Sequence, residues 1–183
     1  MKTTIRRATP SETEDVLRVN RAAFGDDKGT EVSDLVAGLL ADPTAEPRLS
    51  LLAIHKGEAV GHILFTLAQL PESEDSIRSA ILAPLAVVPE YQSKGIGGAL
   101  IKEGLSLLNE DGIHLVFVLG HPGYYPRHGF RPACPLGLFP LYHEPGTAND
   151  AWMVQELVPG ALHRAKGTVT CADTLDELRH WRE

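Results

Sequence analysis

The chain has only two cysteines among its 183 residues, Cys134 and Cys171. It also has no apolar run that approaches the length of about 20 residues that a membrane span needs. So few thiols argue against a disulfide framework and favour a reducing compartment. The first residues, Met1 to Arg7, turn polar at once and lack the apolar segment of a signal peptide. We therefore expect a cytoplasmic protein that has no membrane partner.

Positive charge is also scarce, since the chain has 17 basic and 24 acidic residues and a net charge of −7. Nucleic-acid binding depends largely on Lys and Arg, so we expect no nucleic-acid partner. The histidines and cysteines lack the spacing of metal ligands, so we expect no metal site. Hydrophobic residues make up 43% of the chain, enough for a sizeable core. The length predicts a single domain over residues 1–183, with a core at about 3–157 and a short C-terminal extension at 158–183.

The N-terminal third of the chain shows helical spacing after a first short strand near Ile5 and Arg6. Thr9, Pro10 and Glu12 form a capping-box pattern, which predicts a helix that continues to Phe24. The polar stretch 25–29 should break that helix and form a loop. A second amphipathic helix should then follow and end before Pro43.

The rest of the chain alternates between strand-like and helical patterns. The sequence predicts a hairpin of strands 49–54 and 59–67, a third strand at 81–88, a helix at 97–109 that ends at Gly112, and a buried strand at 113–119. Weaker signals predict strands at 152–157 and 168–171 and a terminal helix at 175–181. These elements indicate an α/β (mixed α+β) fold, with a mixed sheet and helices on its faces.

A glycine-rich turn, Gly95-Ile96-Gly97-Gly98, lies between the third strand and the following helix. A dinucleotide-binding turn is excluded because Leu100 stands where the third glycine of that fingerprint belongs. A nucleoside-triphosphate loop is excluded because no G-x-x-x-x-G-K-[ST] pattern occurs. A phosphate cradle of another kind and a purely structural connection both remain open.

The residues before these glycines complete the pattern Q-x-x-G-x-G, from Gln92 to Gly97. This pattern resembles the pyrophosphate-binding motif of the GNAT superfamily, the acyl-CoA-dependent N-acyltransferases. Its physical basis is that backbone N–H groups at a helix N-terminus bind anions, and glycine lets phosphate oxygens approach closely.

A second segment, Tyr124-Tyr125-Pro126-Arg127-His128-Gly129-Phe130, resembles a later motif of the same family. There, a tyrosine five residues before the phenylalanine of a Gly-Phe pair approaches the sulfur of coenzyme A, and this register selects Tyr125. The resemblance implies that Tyr125 is the general acid for the leaving thiolate. A phenol of pKa ~10 keeps its proton at neutral pH and can donate it once the thiolate, whose thiol has a pKa of ~8.5, has formed. A packed aromatic with no catalytic role is the alternative.

The resemblance is most specific between Leu85 and Phe130, where the chain looks like one branch of predicted bacterial acetyltransferases. It implies a GNAT-like, mostly antiparallel mixed sheet with helices on both faces, in which the fourth and fifth strands separate around the pantetheine arm. It also implies that the Val87 N–H stabilises the oxyanion. The coenzyme A-binding residues that it implies are Leu85, Ala86, Val87, Gln92, Ser93, Lys94, Gly95, Ile96, Gly97 and Gly98.

The chain departs from a common pattern of the family at the position of the base. Many members carry a glutamate on the fourth strand, whereas residues 81–88 contain no acid. We expect His121 to accept the proton of the amine, with Glu31 as a second candidate and His62 as a weaker one. Asp26, Asp27 and Glu31, in the predicted 25–31 loop, either face a cationic amine or form a solvated surface.

The resemblance implies an acetyl-CoA-dependent N-acetyltransferase acting on a small-molecule or protein primary amine by direct attack in a ternary complex. A non-catalytic acyl-CoA-binding sensor or regulatory module is the alternative, favoured by the missing strand glutamate. An interaction protein with a merely structural glycine turn is a third interpretation. Dimers are common in the family, which by analogy implies a homodimer.

Overall fold

A computed structural model describes residues 2–144 and 149–181 of the chain. Its two α-helices are α1 (Thr13–Ala41) and α2 (Ile96–Glu110). Its strands are β1 (Thr4–Arg7), β2 (Leu49–His55), β3 (Glu58–Gln69), β4 (Ser79–Val87), β5 (Leu115–Leu119), β6 (Arg131–Pro132), β7 (Leu138–Phe139), β8 (Trp152–Glu156), β9 (Gly167–Thr168) and β10 (Thr170–Cys171).

The main sheet has the strand order β1-β2-β3-β4-β5-β8-β6, and β10 pairs with β3. Only β4 and β5 run parallel to each other in this sheet, and every other pair is antiparallel. The predicted hairpin is confirmed as β2 and β3, which turn at Lys56 and Gly57. The prediction of a mixed, mostly antiparallel sheet is therefore confirmed.

The two helices cover opposite faces of this sheet, as neighbouring residues of β3 show. A Cβ placed on Gly61 would lie 3.0 Å from the Leu100 side chain of α2. The next residue, His62, instead contacts Asn20 of α1. Successive residues of a strand point to opposite faces, so α1 and α2 lie on different sides. The prediction of helices on both faces is confirmed.

Helix α1 bends sharply at Gly25, where φ is 74° and ψ is −172°. The predicted break is confirmed, but the predicted loop over 25–31 is wrong, because residues 26–41 are helical. Glycine alone adopts this positive φ without strain, so one residue absorbs the whole change of direction. The capping box of Thr9 and Glu12 is also confirmed, with the Thr9 N–H donating to Glu12 Oε1 at 2.9 Å.

The C-terminal residues return to the domain and pack against it. The predicted terminal helix at 175–181 is wrong, since the chain forms two short 3₁₀ turns, Asp173–Leu175 and Leu178–Trp181. So short a segment gains little from helix formation, and its backbone has other partners. The N–H and hydroxyl of Thr174 both donate to Asp42 Oδ2, at 2.9 and 2.7 Å, which attaches this segment to the end of α1.

Candidate functional site

Strands β4 and β5 separate at the centre of the sheet. Their pairing runs from Ser79 opposite Leu115 to Leu82 opposite Val118 and then stops. On its other edge β4 stays paired with β3 as far as Val87, which lies opposite Gly61. Residues 83–87 therefore belong to a central strand, yet within residues 2–144 and 149–181 no strand pairs with them on the β5 side.

The backbone of this open segment presents its free groups toward the gap. The Val88 N–H donates to the Val60 carbonyl at 2.9 Å, which fixes the phase of the β3–β4 ladder. Alternate residues of an antiparallel pair bond to the same neighbour, so the N–H groups of Leu85 and Val87 point away from β3. Two donors thus face the gap between β4 and β5, whereas the Ala86 backbone faces β3.

The glycine-rich turn joins β4 to α2 and leaves the start of the helix open. Ser93 and Gly95 have positive φ values of 61° and 85°, and α2 begins at Ile96. The N-cap residue Gly95 has no side chain, and in the part of the chain that the structure describes no side-chain hydrogen bond caps this helix. The N–H groups of residues 96–98 are therefore oriented for an anionic ligand.

The Gln92 side chain fastens this turn to the end of β4. Its Nε2 donates to the Val87 carbonyl at 2.9 Å. Lys94 lies on the outside of the turn, where its ammonium is 5.4 Å from the centre of the Tyr91 ring. Both residues are exposed, but the Gln92 side chain is bonded to the end of β4, whereas the Lys94 side chain lies near the Tyr91 ring.

A cavity of about 610 Å³ lies between this turn and residues 124–128. It brings together eight of the ten predicted coenzyme A-binding residues, and Ala86 and Lys94 do not line it. Its lining consists of Leu85, Val87, Tyr91, Gln92, Ser93, Gly95, Ile96, Gly97, Gly98, Tyr124, Arg127 and His128.

The two neighbouring tyrosines occupy different layers of the site. Tyr125 is buried, only 9% exposed, and its ring meets the Tyr124 ring edge-on at 5.1 Å. Burial, aided by Tyr124, raises the pKa of the Tyr125 hydroxyl above its usual value, so this phenol stays protonated at neutral pH. Tyr124 reaches the cavity, and a Cβ on Gly97 would lie only 2.6 Å from its hydroxyl oxygen.

Sequence reasoning missed Tyr91, Tyr124, Arg127 and His128 as members of this cavity. The Arg127 guanidinium lies over the Tyr124 ring, 5.5 Å from its centre, and adds positive charge to an otherwise acidic protein. The signal was present, since three of these residues belong to the motif that selected Tyr125. What the sequence did not show is that the 3₁₀ turn Tyr125–His128 faces the start of α2.

A second cavity, of about 210 Å³, lies between α1, the diverging ends of β4 and β5, and the C-terminal turns. Glu31 lines it together with Lys28 of the same helix. His180 also lines it, and burial and Arg179 lower the pKa of this histidine, while Glu177 and Glu31 oppose that shift. The C-terminal members were missed because this extension carries no recognisable motif.

The histidines named from the sequence lie elsewhere. His121, in the turn after β5, is exposed, and its Nδ1 accepts a hydrogen bond from the Gly123 N–H at 3.0 Å. His62 is fully buried, with Nδ1 3.0 Å from Asn20 Nδ2 and Nε2 2.9 Å from Ser50 Oγ. Both nitrogens of His62 are thus engaged, as expected of a histidine with a structural role.

Two features of other kinds are absent from the described residues. Among residues 2–144 and 149–181, no helix has the length and apolarity of a membrane span. The same part of the chain contains no group of three or more His, Cys, Asp or Glu side chains arranged to hold a metal ion.

Comparison with known proteins gives consistent matches over most of the chain. A family model described as an acetyltransferase (GNAT) domain matches residues 4–133. An Escherichia coli protein named as the uncharacterized N-acetyltransferase YjhQ is 47% identical over 164 residues, covering 89% of this chain and 88% of that protein.

Two solved structures resemble the fold closely. YhbS, a GNAT family N-acetyltransferase from Escherichia coli solved in complex with CoA, is 28% identical with a TM-score of 0.84; the match covers 97% of this chain and 93% of that one. A GNAT family acetyltransferase from Brucella melitensis, in complex with acetyl-CoA, is 28% identical with a TM-score of 0.74, and the match covers 96% and 99% of the two chains.

Proposed function

We propose that this chain, which belongs to the acetyltransferase (GNAT) family, transfers the acetyl group of acetyl-CoA to a primary amine by direct attack in a ternary complex. The family makes the chain an acyltransferase; its donor, its acceptor and the order of events are the proposal. The observation that carries it is the gap between β4 and β5 beside the open start of α2. That gap offers backbone donors to a thioester arm and N–H groups to its pyrophosphate.

The larger cavity suits coenzyme A in its shape and in its hydrogen-bonding groups. We place the pyrophosphate at the N–H groups of residues 96–98, with Arg127 supplying positive charge nearby. The pantetheine arm would then lie along Leu85 and Val87 in place of a paired strand. The complexes of similar proteins with CoA and acetyl-CoA support this placement. Direct contacts of Ala86 and Lys94 with coenzyme A stay predictions.

In the reaction, the neutral amine attacks the thioester carbonyl, so a C–N bond forms and the C–S bond then breaks. The Val87 N–H, which faces the gap, would stabilise the negative charge on the tetrahedral oxygen. The thiolate leaves with the bonding electrons and takes a proton from the Tyr125 hydroxyl. Tyr125 is not among the residues that line the larger cavity, and its role as the acid stays a prediction.

The ammonium form of the acceptor must first lose a proton. His121 as the base stays a prediction, and one contact argues against it: Nδ1 accepts from the Gly123 N–H, so in the neutral ring the hydrogen is on Nε2. Protonating His121 would therefore cost that hydrogen bond. Glu31 lines the smaller cavity, at the point where β4 and β5 cease to pair, which supports this carboxylate as the competing base.

Two measurements on the full chain test the proposal. Calorimetry with acetyl-CoA should show saturable binding, and addition of primary amines should release free thiol. Absence of binding would contradict the whole proposal. Binding without thiol release from any amine would instead favour the non-catalytic acyl-CoA-binding module.

A further inference from the structure

The smaller cavity combines apolar walls with charged groups at its mouth. Buried or half-buried apolar residues line it, namely Val32, Leu35, Ile81, Leu82, Leu119 and Leu175. Lys28 and Glu31 are exposed and lie one turn apart on α1. The walls therefore suit a hydrocarbon group, and the mouth suits a ligand that carries charge.

The two charged groups of α1 both line this cavity. Neither Lys28 nor Glu31 has an ion-pair or side-chain hydrogen-bond partner among residues 2–144 and 149–181. Arg179, the other cation at the mouth, is already paired, since its Nε donates to Glu177 Oε2 at 2.8 Å. A positive and a negative group of α1 thus stand at the same opening, where the Glu31 charge also acts on the pKa of His180.

The cavity also adjoins the proposed reaction centre. Ala83, the first residue of the open β4 segment, lines it, while Leu85 and Val87 of that segment line the larger cavity. An amine held in the smaller cavity would therefore approach the thioester across the gap between β4 and β5. The volume of about 210 Å³ is below the ~300–1,000 Å³ of pockets for drug-sized ligands.

We infer that the acceptor is a small zwitterion, an amino acid whose apolar side chain fills the cavity while Glu31 binds its ammonium and Lys28 its carboxylate. This inference rests on the proposed function, because it names the amine that receives the acetyl group. The products are an N-acetyl amino acid, the thiol of coenzyme A and the proton lost by the ammonium. The amide product carries no positive charge and loses its attraction to Glu31, which favours its release.

Three acceptors of nearly the same shape test this inference with acetyl-CoA as the donor. Leucine carries both charges, leucinamide lacks the carboxylate charge, and 3-methylbutylamine lacks the carboxyl group altogether. We expect kcat/KM for leucine to exceed that for the other two by at least about 10-fold, since each lacks a charge-assisted contact. A peptide with a free lysine side chain serves as the protein-like acceptor and should be poorer still.

Variants of Lys28 connect that preference to one residue. Lys28→Met should reduce the ratio of kcat/KM for leucine to that for 3-methylbutylamine by at least about 10-fold, mainly through KM, and Lys28→Arg should restore most of it. Lys166→Met, at an exposed lysine elsewhere, is the matched control and should keep the wild-type ratio. Calorimetry of leucine binding to the CoA-loaded protein should show the same order of affinities.

The outcomes separate this inference from the proposed function. Transfer to 3-methylbutylamine or to the lysine peptide as efficiently as to leucine would overturn the zwitterion inference and leave the acetyltransferase proposal standing. An unchanged acceptor ratio in Lys28→Met would also overturn it. Absence of transfer to every amine, with acetyl-CoA bound, would contradict the proposed function itself.

Discussion

The side-chain Nε2 of Gln92 donates a hydrogen bond to the backbone carbonyl of Val87, at 2.9 Å. The glutamine of the glycine-rich motif thus holds the turn against the strand whose N–H groups face the gap. Its contribution to cofactor binding is therefore one of positioning: it fixes the start of α2 relative to the end of β4.

Replacing this glutamine should weaken coenzyme A binding more than it destabilises the fold. We expect Gln92→Leu to raise the Kd for CoA by roughly 10-fold, because the anion-binding turn loses its attachment to β4. The free energy of unfolding should fall by only about 1 kcal/mol, the usual value of one hydrogen bond. Calorimetry and chemical denaturation measure the two effects, with Gln69→Leu at an exposed strand end as control. Equal CoA affinity in Gln92→Leu and wild type would refute this role.

Tyr125 and Tyr124 form a natural pair of test positions, since they are adjacent but differ in burial and in what they contact. Tyr125→Phe should lower kcat by about 100-fold or more, because the leaving thiolate loses its proton donor. Tyr124→Phe should cost less than about 10-fold. Because the pKa of Tyr125 is raised by burial, wild-type kcat should not decline below about pH 10 through loss of this proton. Full turnover by Tyr125→Phe would remove the acid role.

The two candidate bases can be compared directly. We expect Glu31→Gln to lower kcat by about 100-fold, since Glu31 lines the cavity of the amine, and His121→Asn to lower it by less than about 10-fold. His163→Asn, at an exposed histidine of a distant turn, is the control. Steady-state kinetics at several pH values would show the reverse order of losses if His121 were the base, as the sequence predicted.

The buried His62 should make stability depend on pH. Burial lowers the pKa of His62 to about 3, against about 6.5 in the unfolded chain, so between these values the unfolded state binds the extra proton. Stability therefore falls as the pH decreases from about 6.5 toward 3, by up to about 1.4 kcal/mol per pH unit. His62→Leu should flatten this slope and His163→Leu should not; urea denaturation between pH 4 and 7 measures both. Parallel slopes for His62→Leu and wild type would contradict the shift.

Sequence patterns predicted the elements whose residues alternate or repeat clearly. The hairpin, the strand before the glycine turn and α2 all have long apolar patterns, and their positions are confirmed within a few residues. The 25–31 loop was wrong because one glycine at a positive φ turned the chain, and the polar residues after it stayed helical. The polar residues of this segment are exposed, but their backbone is helical and not irregular.

The candidate site was accessible to sequence reasoning only where it lies in contiguous motifs. The motifs 92–98 and 124–130 each predicted their own residues, but not that Tyr124 would lie against Gly97. The smaller cavity lies between α1 and the C-terminal turns. The hydrogen bond from Thr174 to Asp42, which are 132 positions apart, connects these two parts of the chain. Such a contact depends on tertiary packing, and no local pattern in residues 158–183 predicts it.

Two-substrate initial-rate kinetics tests the central claim most directly. The concentrations of acetyl-CoA and of an accepted amine are both varied, and the release of free thiol is measured. Direct attack in a ternary complex predicts intersecting lines in the double-reciprocal plot, with slopes that depend on the concentration of the second substrate. Parallel lines would indicate an acetylated enzyme intermediate and would contradict transfer across the gap between β4 and β5.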